Sequence, residues 1–299
     1  MALLYVFHQA GGDGADGQLR YAVFDGTSWS ADIPLNIAMS ESPAAVPWAG
    51  GITVFHQGSN YDGQLLYTFS PDGQNWGGDT LVPVLALANQ PSAVVYNGLL
   101  YAFHQADEDV ISPPLRLAVF DGKNWSSDIP FLGNTSSTGA PSAVAWAGGI
   151  TVFHQGSNSD GQLYYTFSPD GQNWGGDTLV PVLALSAEPS AVVYNGLLYV
   201  FHQGGPGGFG VGVPGYGGDG QLHYAVFDGT NWSADIPLNI AMSHSPSAVA
   251  WAGGIAVFHQ GPNSDGQLYY TFSPDGQHWG GDTLVPVLAL TFSPSCVVY

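Results

Sequence analysis

Positive charge is almost missing from this chain. Arg20, Arg116 and Lys123 are its only basic residues beside 23 acidic ones, giving a formal net charge of -20. Nucleic acid and anionic membrane surfaces are gripped by clustered lysine and arginine. Neither is expected as a partner, and acidic ligands are disfavoured for the same reason. Cysteine is limited to Cys296, which excludes an internal disulfide and a cysteine-based zinc site. Its neighbours Pro294-Ser295 and Val297-Val298-Tyr299 read as a buried strand. No run reaches the roughly 18 apolar residues of a membrane-spanning helix. The opening Met1-Ala2-Leu3-Leu4-Tyr5-Val6-Phe7 has neither a basic start nor a small-residue cleavage site. It matches the internal segments 99–103 and 197–201, so it is expected to be structural, and the product to be cytoplasmic or released without a signal peptide. Helical periodicity is missing too, in every stretch of ten or more residues.

What the chain has instead is repetition. Phe-His-Gln occurs six times, its histidines being His8, His56, His104, His154, His202 and His259, with spacings of 48, 48, 50, 48 and 57 residues. The 40 residues after His259 and the eight up to His8 make one more period of 48. A head and a tail that complete one repeat between them suggest a closed ring. Each period holds four short segments rich in Val, Tyr, Phe, Trp and Thr, in the second period 52–57, 64–70, 76–83 and 92–96. Turn pairs such as Asn97-Gly98, Asn195-Gly196, Asp25-Gly26, Asp72-Gly73 and Asp228-Gly229 separate the segments.

Four strands per period and six periods predict an all-β, six-bladed propeller of four-stranded antiparallel sheets. The repeats fall near 1–48, 49–96, 97–146, 147–194, 195–251 and 252–299 in a single domain. Residues 294–299 are expected to join the first blade as its innermost strand, which removes a free sheet edge. The units also alternate. Odd ones follow the Tyr-Ala-Val-Phe-Asp-Gly type, as at Tyr21 to Gly26, and end in Trp48, Trp146 or Trp251, whereas even ones follow the Tyr-Thr-Phe-Ser-Pro-Asp-Gly type, as at Tyr67 to Gly73, and end in Val-Val-Tyr. Two places break the pattern: Ser112-Pro113-Pro114 replaces Asp-Gly-Gln in the third unit, and a glycine-rich insertion, expected to be a flexible loop, runs from Gly204 to Gly218 in the fifth.

Phe-His-Gln closes one strand and Asp-Gly-Gln opens the next, so both are expected on one rim of the propeller. The candidate ligand-binding residues are His8, Gln9, Asp16 and Gln18 in the first unit; His56, Gln57, Asp62, Gln64 and Tyr67 in the second; His154, Gln155, Asp160 and Gln162 in the fourth; His202, Gln203, Asp219 and Gln221 in the fifth; and His259, Gln260, Asp265 and Gln267 in the sixth. Imidazole, amide and carboxylate groups beside aromatic rings suit a neutral polyol, whose hydroxyls need directional bonds and whose C–H face packs on a ring. The same residues have a plainer reading, since Asp-Gly makes turns and a strand-end His-Gln can satisfy loop backbone groups. Trp76, Trp174 and Trp279 belong to a series with Trp29, Trp125 and Trp232 that either packs between blades or stacks on a sugar. Asp32, Asp79, Asp128, Asp177, Asp235 and Asp282 follow these tryptophans by three residues and either tie down a neighbouring loop or accept a ligand hydroxyl. No cofactor is expected. Equivalent histidines lie on different blades, too far apart to share a metal ion, and the repeated calcium-loop pattern is missing.

The Asp-Gly-Gln-Leu-Tyr-Tyr, Asp-Gly-Gln-Asn-Trp and Leu-Leu-Tyr-Val-Phe-His-Gln runs resemble the β-propeller lectins of fungi and bacteria, of the tachylectin-like and fucose-lectin-like kind. The resemblance covers the whole chain and implies a non-enzymatic protein binding glycans with neutral terminal sugars at several equivalent sites; N-acetylglucosamine, galactose and fucose are the candidates. The fucose lectins use an arginine in every pocket, and two arginines cannot supply six pockets. The alternatives are a propeller glycoside hydrolase, which needs a unique carboxylate pair, and a protein-interaction scaffold.

Overall fold

In a computed structural model the described residues are 2–11, 16–84, 86–107, 114–130, 137, 139–157, 161–182, 185–205, 219–287 and 289–299. They form six four-stranded antiparallel sheets, the blades of a propeller. From the axis outward the first blade is Ser295–Val298, Leu4–Gln9, Gln18–Phe24 and Ile33–Ala38. Leu4 pairs with Val298 and Phe7 with Ser295, so the ring closes as the repeat spacing requires. The second blade is Ser40–Trp48, Gly51–Gln57, Leu65–Ser70 and Thr80–Leu81. The third, fourth, fifth and sixth open with Ser92–Tyr96, Ser142–Trp146, Ser190–Tyr194 and Ser243–Trp251. Each blade therefore takes its innermost strand from the tail of the preceding sequence repeat. The described residues contain no α-helix, only 3-10 turns such as Ser59–Tyr61 and Pro262–Ser264. The segment expected to be a strand over 76–83 shrinks to Thr80–Leu81, because Asp72 folds the residues after it into a tight turn, its carboxylate accepting the N–H groups of Gln74 and Asn75. Most of the Gly204–Gly218 insertion, together with Ser112 and Pro113, lies outside the described residues.

The core is divided into six, one cluster per junction between blades. The junction of blades 1 and 2 holds Tyr5, Phe7, Leu19, Tyr21, Ile52 and Val54. The junction of blades 6 and 1 holds Leu4, Val6, Phe258, Leu268 and Leu290. Successive side chains on a strand point to opposite faces, so Leu4 and Val6 serve one junction while Tyr5 and Phe7 serve the other. That is why the stretch Leu4–Phe7 is apolar and buried at every position. The phenylalanine of each Phe-His-Gln (Phe7, Phe55, Phe103, Phe153, Phe201 and Phe258) is wholly buried, and each contributes about 1.5–3 kcal/mol. Trp76 of blade 2 leans onto blade 1, 5.4 Å from Phe7 and 5.6 Å from Tyr21. Trp279 does the same to Phe201 and Tyr224 of blade 5, and Trp174 sits edge-on to Phe103.

Around the axis the innermost strands are stitched by hydroxyls. Ala45 N–H donates to Ser295 Oγ of blade 1, Ala143 to Ser92, Ala191 to Ser142, Ala248 to Ser190 and Cys296 to Ser247. These are five of the six possible blade-to-blade bonds. The sixth would need a hydroxyl at residue 44, which is alanine. At the opposite end of the same strands Tyr96, Tyr194 and Tyr299 donate to glycine and proline carbonyls of the next blade, Gly148 and Pro169 in the case of Tyr96.

Candidate functional site

The six recurring histidines do not reach the surface. His8, His56, His104, His202 and His259 have no exposure and His154 has 1%. Each Nε2 points along the sheet to the aspartate that follows the tryptophan of its own blade: His8 to Asp32 at 3.0 Å, His56 to Asp79 at 3.1 Å, His104 to Asp128 at 3.0 Å, His154 to Asp177 at 3.2 Å, His202 to Asp235 at 3.0 Å and His259 to Asp282 at 3.1 Å. The strand-end glutamines are tucked in beside them. Gln57 donates to Leu87 O at 2.8 Å, Gln260 to Leu290 O at 2.9 Å, Gln203 to Met242 O at 2.7 Å, and Gln9 to Met39 O. Each therefore pins the linker that leads into the next blade, and Gln155 is likewise buried. Direct ligand contact, expected of these histidines and glutamines, is corrected to an internal role. The signal lay in the apolar residue before each histidine and in the aspartate 23 or 24 residues further on in five of the six units. Tyr67 is half-buried, its ring packed against Phe55 and Trp125.

The Asp-Gly-Gln residues divide. Asp16, Asp62, Asp219 and Asp265 are exposed and accept the backbone N–H two residues on, from Gln18, Gln64, Gln221 and Gln267. Gln64, Gln162 and Gln267 are exposed, and the last two accept the hydroxyls of Tyr164 and Tyr269. Asp160 lies outside the described residues.

The residue two positions after that glutamine, or at the matching place in the third unit, changes from blade to blade. It faces the junction with the preceding blade, directly across from the buried histidine in the strand register: Arg20 opposite His8, Leu66 opposite His56, Arg116 opposite His104, Tyr164 opposite His154, His223 opposite His202 and Tyr269 opposite His259. Both arginines of the protein stand in this column, on odd blades, and in blade 5 a histidine takes the place. Arg20 donates to Asp16 at 2.9 Å and lies 3.9 Å from Asp32. Its guanidinium holds the Asp16 carboxyl below the usual carboxylate range. Arg116 Nε donates to Asp128 at 2.6 Å. His223 Nε2 meets Asp219 at 2.8 Å and its Nδ1 lies 3.2 Å from Asp235. On the odd blades an aspartate is thus shared between a buried histidine and a second basic group.

The backbone opens beside these groups. In blades 1 and 5 the outer strand slips register between Gln18 and Arg20, and between Gln221 and His223, with Asn36 and Asn239 at positive φ of 58° and 56°. Such bulges re-aim side chains at the edge of a sheet. Several junction groups are buried without a partner among the described residues: Arg20 Nε, Gln18 Oε1, Gln221 Oε1 and the indole nitrogens of Trp76, Trp125 and Trp279. Buried polar atoms are nearly always bonded to protein, water or ligand, so these are open valences in the junctions. The even-blade aspartates are the better exposed, Asp79 at 31% against 8% for Asp32.

Other hollows serve less well. The channel between the innermost strands, lined by serines and prolines including Ser92, Ser142 and Ser190, encloses about 130 Å³, below the roughly 300–1,000 Å³ of typical ligand pockets. A hollow of about 520 Å³ lies between Tyr96 and Trp146, but the Tyr96 hydroxyl and the Trp146 indole N–H are already bonded to carbonyls of neighbouring blades. Among the described residues no group of three or more His, Cys, Asp or Glu side chains is placed to hold a metal ion.

No family model matches the sequence, and no curated protein does. Solved structures do. A lectin of Aleuria aurantia in complex with Fucα1-6GlcNAc superposes with a TM-score of 0.69 at 18% identity, over 95% of this chain and 92% of the lectin. AofleA of Arthrobotrys oligospora gives 0.66 at 14% identity, over 95% and 83%. An α-L-arabinofuranosidase of Fusarium graminearum, bound to arabinobiose, gives 0.60 at 14% over 84% and 82%. The Aleuria lectin is described as a six-bladed β-propeller with fucose recognition, and it is to this fold, shared with fungal lectins over nearly its whole length, that the chain is similar.

Proposed function

We propose that the protein is a multivalent lectin that binds neutral terminal sugars in the junctions between blades. The observation that carries this reading is the six-fold repetition of one polar junction. Each pairs a buried His–Asp couple with a tryptophan and surrounds a variable central residue. A sugar hydroxyl needs bonded acceptors and donors held in place, and its ring needs an aromatic wall. Asp32 and Asp79 and their counterparts supply fixed carboxylates, Trp76, Trp125 and Trp279 supply unpaired indole N–H groups, and Arg20 and Arg116 supply guanidinium donors on alternate blades. The exposed Asp62, Gln64, Gln162, Asp265 and Gln267 frame the entrances. The buried histidines act at one remove, by orienting the aspartates.

The fold comparison supports the reading because lectins stand among its neighbours, and fucose is the first sugar to try. Weak sites repeated around a ring gain avidity on a glycan-coated surface, and agreement among six junctions matches that mode better than catalysis at one. The arabinofuranosidase likeness keeps hydrolysis as the second reading. A glycan array with labelled protein, followed by calorimetric titration of the best monosaccharide, tests the proposal. Binding to one terminal neutral sugar at several sites per chain, weakened by Asp79→Ala and Arg20→Met, is the expected result. An array with no signal, or release of free sugar from aryl glycosides, would overturn it.

A further inference from the structure

Blades 1 and 5 show what the two aspartates of a junction are placed to hold. In each, the first aspartate uses Oδ1 to accept the backbone N–H two residues on, Gln18 for Asp16 and Gln221 for Asp219. The second uses Oδ1 for the buried histidine, His8 for Asp32 and His202 for Asp235. The two Oδ2 atoms then meet at one base. Arg20 lies 2.9 Å from Oδ2 of Asp16 and 3.9 Å from that of Asp32, and His223 lies 2.8 Å from Oδ2 of Asp219 and 3.2 Å from that of Asp235.

Blades 2 and 6 keep both aspartates and change the residue between them. Oδ1 of Asp62 and of Asp265 accepts the N–H of Gln64 and of Gln267, and Oδ1 of Asp79 and of Asp282 faces His56 and His259, as before. The column residue is Leu66 in one and Tyr269 in the other, and neither carries a charge. The only lysine and arginines of the chain, Arg20, Arg116 and Lys123, belong to blades 1 and 3. Exposure follows the same division: Asp79 and Asp282 are each 31% exposed, Asp32 and Asp235 8% and 9%. The strand register carries each row on to an exposed leucine, Leu81 beside Leu66 and Leu284 beside Tyr269. In the same two junctions the indole N–H groups of Trp76 and Trp279 are buried without a partner among the described residues.

We propose, on the reading that these junctions bind sugar, that those of blades 2 and 6 select sugars bearing an ammonium group, the unacetylated hexosamines. The ligand's ammonium stands between Asp62 and Asp79, or between Asp265 and Asp282, as Arg20 stands between Asp16 and Asp32. An ammonium offers three N–H donors and no acceptor, and carboxylates only accept, so the two match. The indole N–H of Trp76 or Trp279 donates to a ring hydroxyl, and the C–H face of the sugar packs on Leu81 or Leu284. In blade 6 the Tyr269 ring adds a face that attracts cations. The net charge of -20 draws a cationic ligand in from solution. Blades 1 and 3, where an arginine already neutralises the aspartates, should refuse the same ligand.

The test titrates galactosamine and glucosamine, each beside its N-acetyl and parent-sugar counterparts, into the full chain at about pH 6 and follows the indole N–H signals by 15N NMR. Trp76 and Trp279 report on blades 2 and 6, Trp29 and Trp125 on blades 1 and 3. An amino sugar is expected to move the Trp76 and Trp279 signals at roughly tenfold lower concentration than its acetylated or parent form, the worth of one charged hydrogen bond, and to leave Trp29 and Trp125 unmoved. Leu66→Arg should abolish the Trp76 response and keep that of Trp279; arginine already stands opposite the equivalent histidine in blades 1 and 3, so the variant has room to fold. Asp62→Asn, whose amide oxygen can still accept the Gln64 N–H, should weaken the Trp76 response alone. Equal responses in all junctions, no preference over the acetylated sugar, a Trp76 response that survives Leu66→Arg, or an equal response to methylammonium chloride overturns this inference and leaves the lectin reading intact. Silence toward every sugar, on the array and in the spectra, overturns both.

Discussion

Completing the ring of hydroxyls at the axis gives a direct test of how the blades are held together. Ala44 pairs with Phe55 in the register that places Ser92 opposite Phe103, Ser142 opposite Phe153 and Ser295 opposite Phe7. A serine there would bring its Oγ to the N–H of Ala93, as Ser92 does to Ala143 at 3.0 Å. One intramolecular hydrogen bond adds about 0.5–1.5 kcal/mol net. Ordering the hydroxyl and displacing channel water take part of that, leaving roughly 0.5–1 kcal/mol. For a chain of this size Ala44→Ser should raise the melting temperature by about 1–3 °C, read by calorimetry. Ser142→Ala should move it the other way by a similar amount, because the Ala191 N–H loses its acceptor. If Ala44→Ser melts at or below the wild-type temperature while Ser142→Ala is neutral, the seryl ring does not join the blades and the reasoning fails.

Three further outcomes follow from buried groups. Burial, with Glu188 nearby, pushes Glu41 up to about 7 from an unperturbed 4.5. The native state therefore holds that proton more tightly than the unfolded chain, a stabilisation complete below pH 4.5 and lost as pH rises through 7. Glu41→Gln should match the wild type at pH 4 and exceed it by about 1–2 kcal/mol at pH 8 after allowance for solvent screening, measured by urea unfolding; equal curves at pH 8 would count against it. Cys296 is buried and its thiol is pushed up to about 12, so a thiol reagent at pH 8 should find none in the native protein and one per chain in urea. Asp79→Ala strands the Nε2 of wholly buried His56 and should cost about 1–3 kcal/mol, and a double-mutant cycle with His56→Ala should show coupling of at least 0.5 kcal/mol.

The propeller could be read from the chain because its period, turn pairs and doubly apolar strands are local signals that all point one way. The junction chemistry could not. A strand-end histidine looks exposed in a linear reading. Whether it is depends on the partner 23 or 24 residues away, Asp79 for His56, and on the preceding blade that covers both. Arg20 and Arg116 were visible as the scarce basic residues, yet counting them against six sites hid their meaning, which lies in their shared column with His223. Only the register across two strands places Arg20 opposite His8. Trp76, Trp174 and Trp279 could be assigned to packing or stacking from sequence alone, but their lean onto the preceding blade depends on the twist of the ring.

The pairing of Leu4 with Val298 also sets the timing of assembly. The first blade cannot acquire its innermost strand until residue 298 has been made, so at about 5–20 residues per second its three N-terminal strands wait for roughly 13–50 s with an open edge. Five later strands with nearly the same sequence, Ser92–Tyr96 and its counterparts, pass that edge meanwhile. Each is a rival for the place that Ser295–Val298 must take. Nascent chains would then differ from finished ones in which strand closes the ring, and the rate of translation becomes part of what selects the right one.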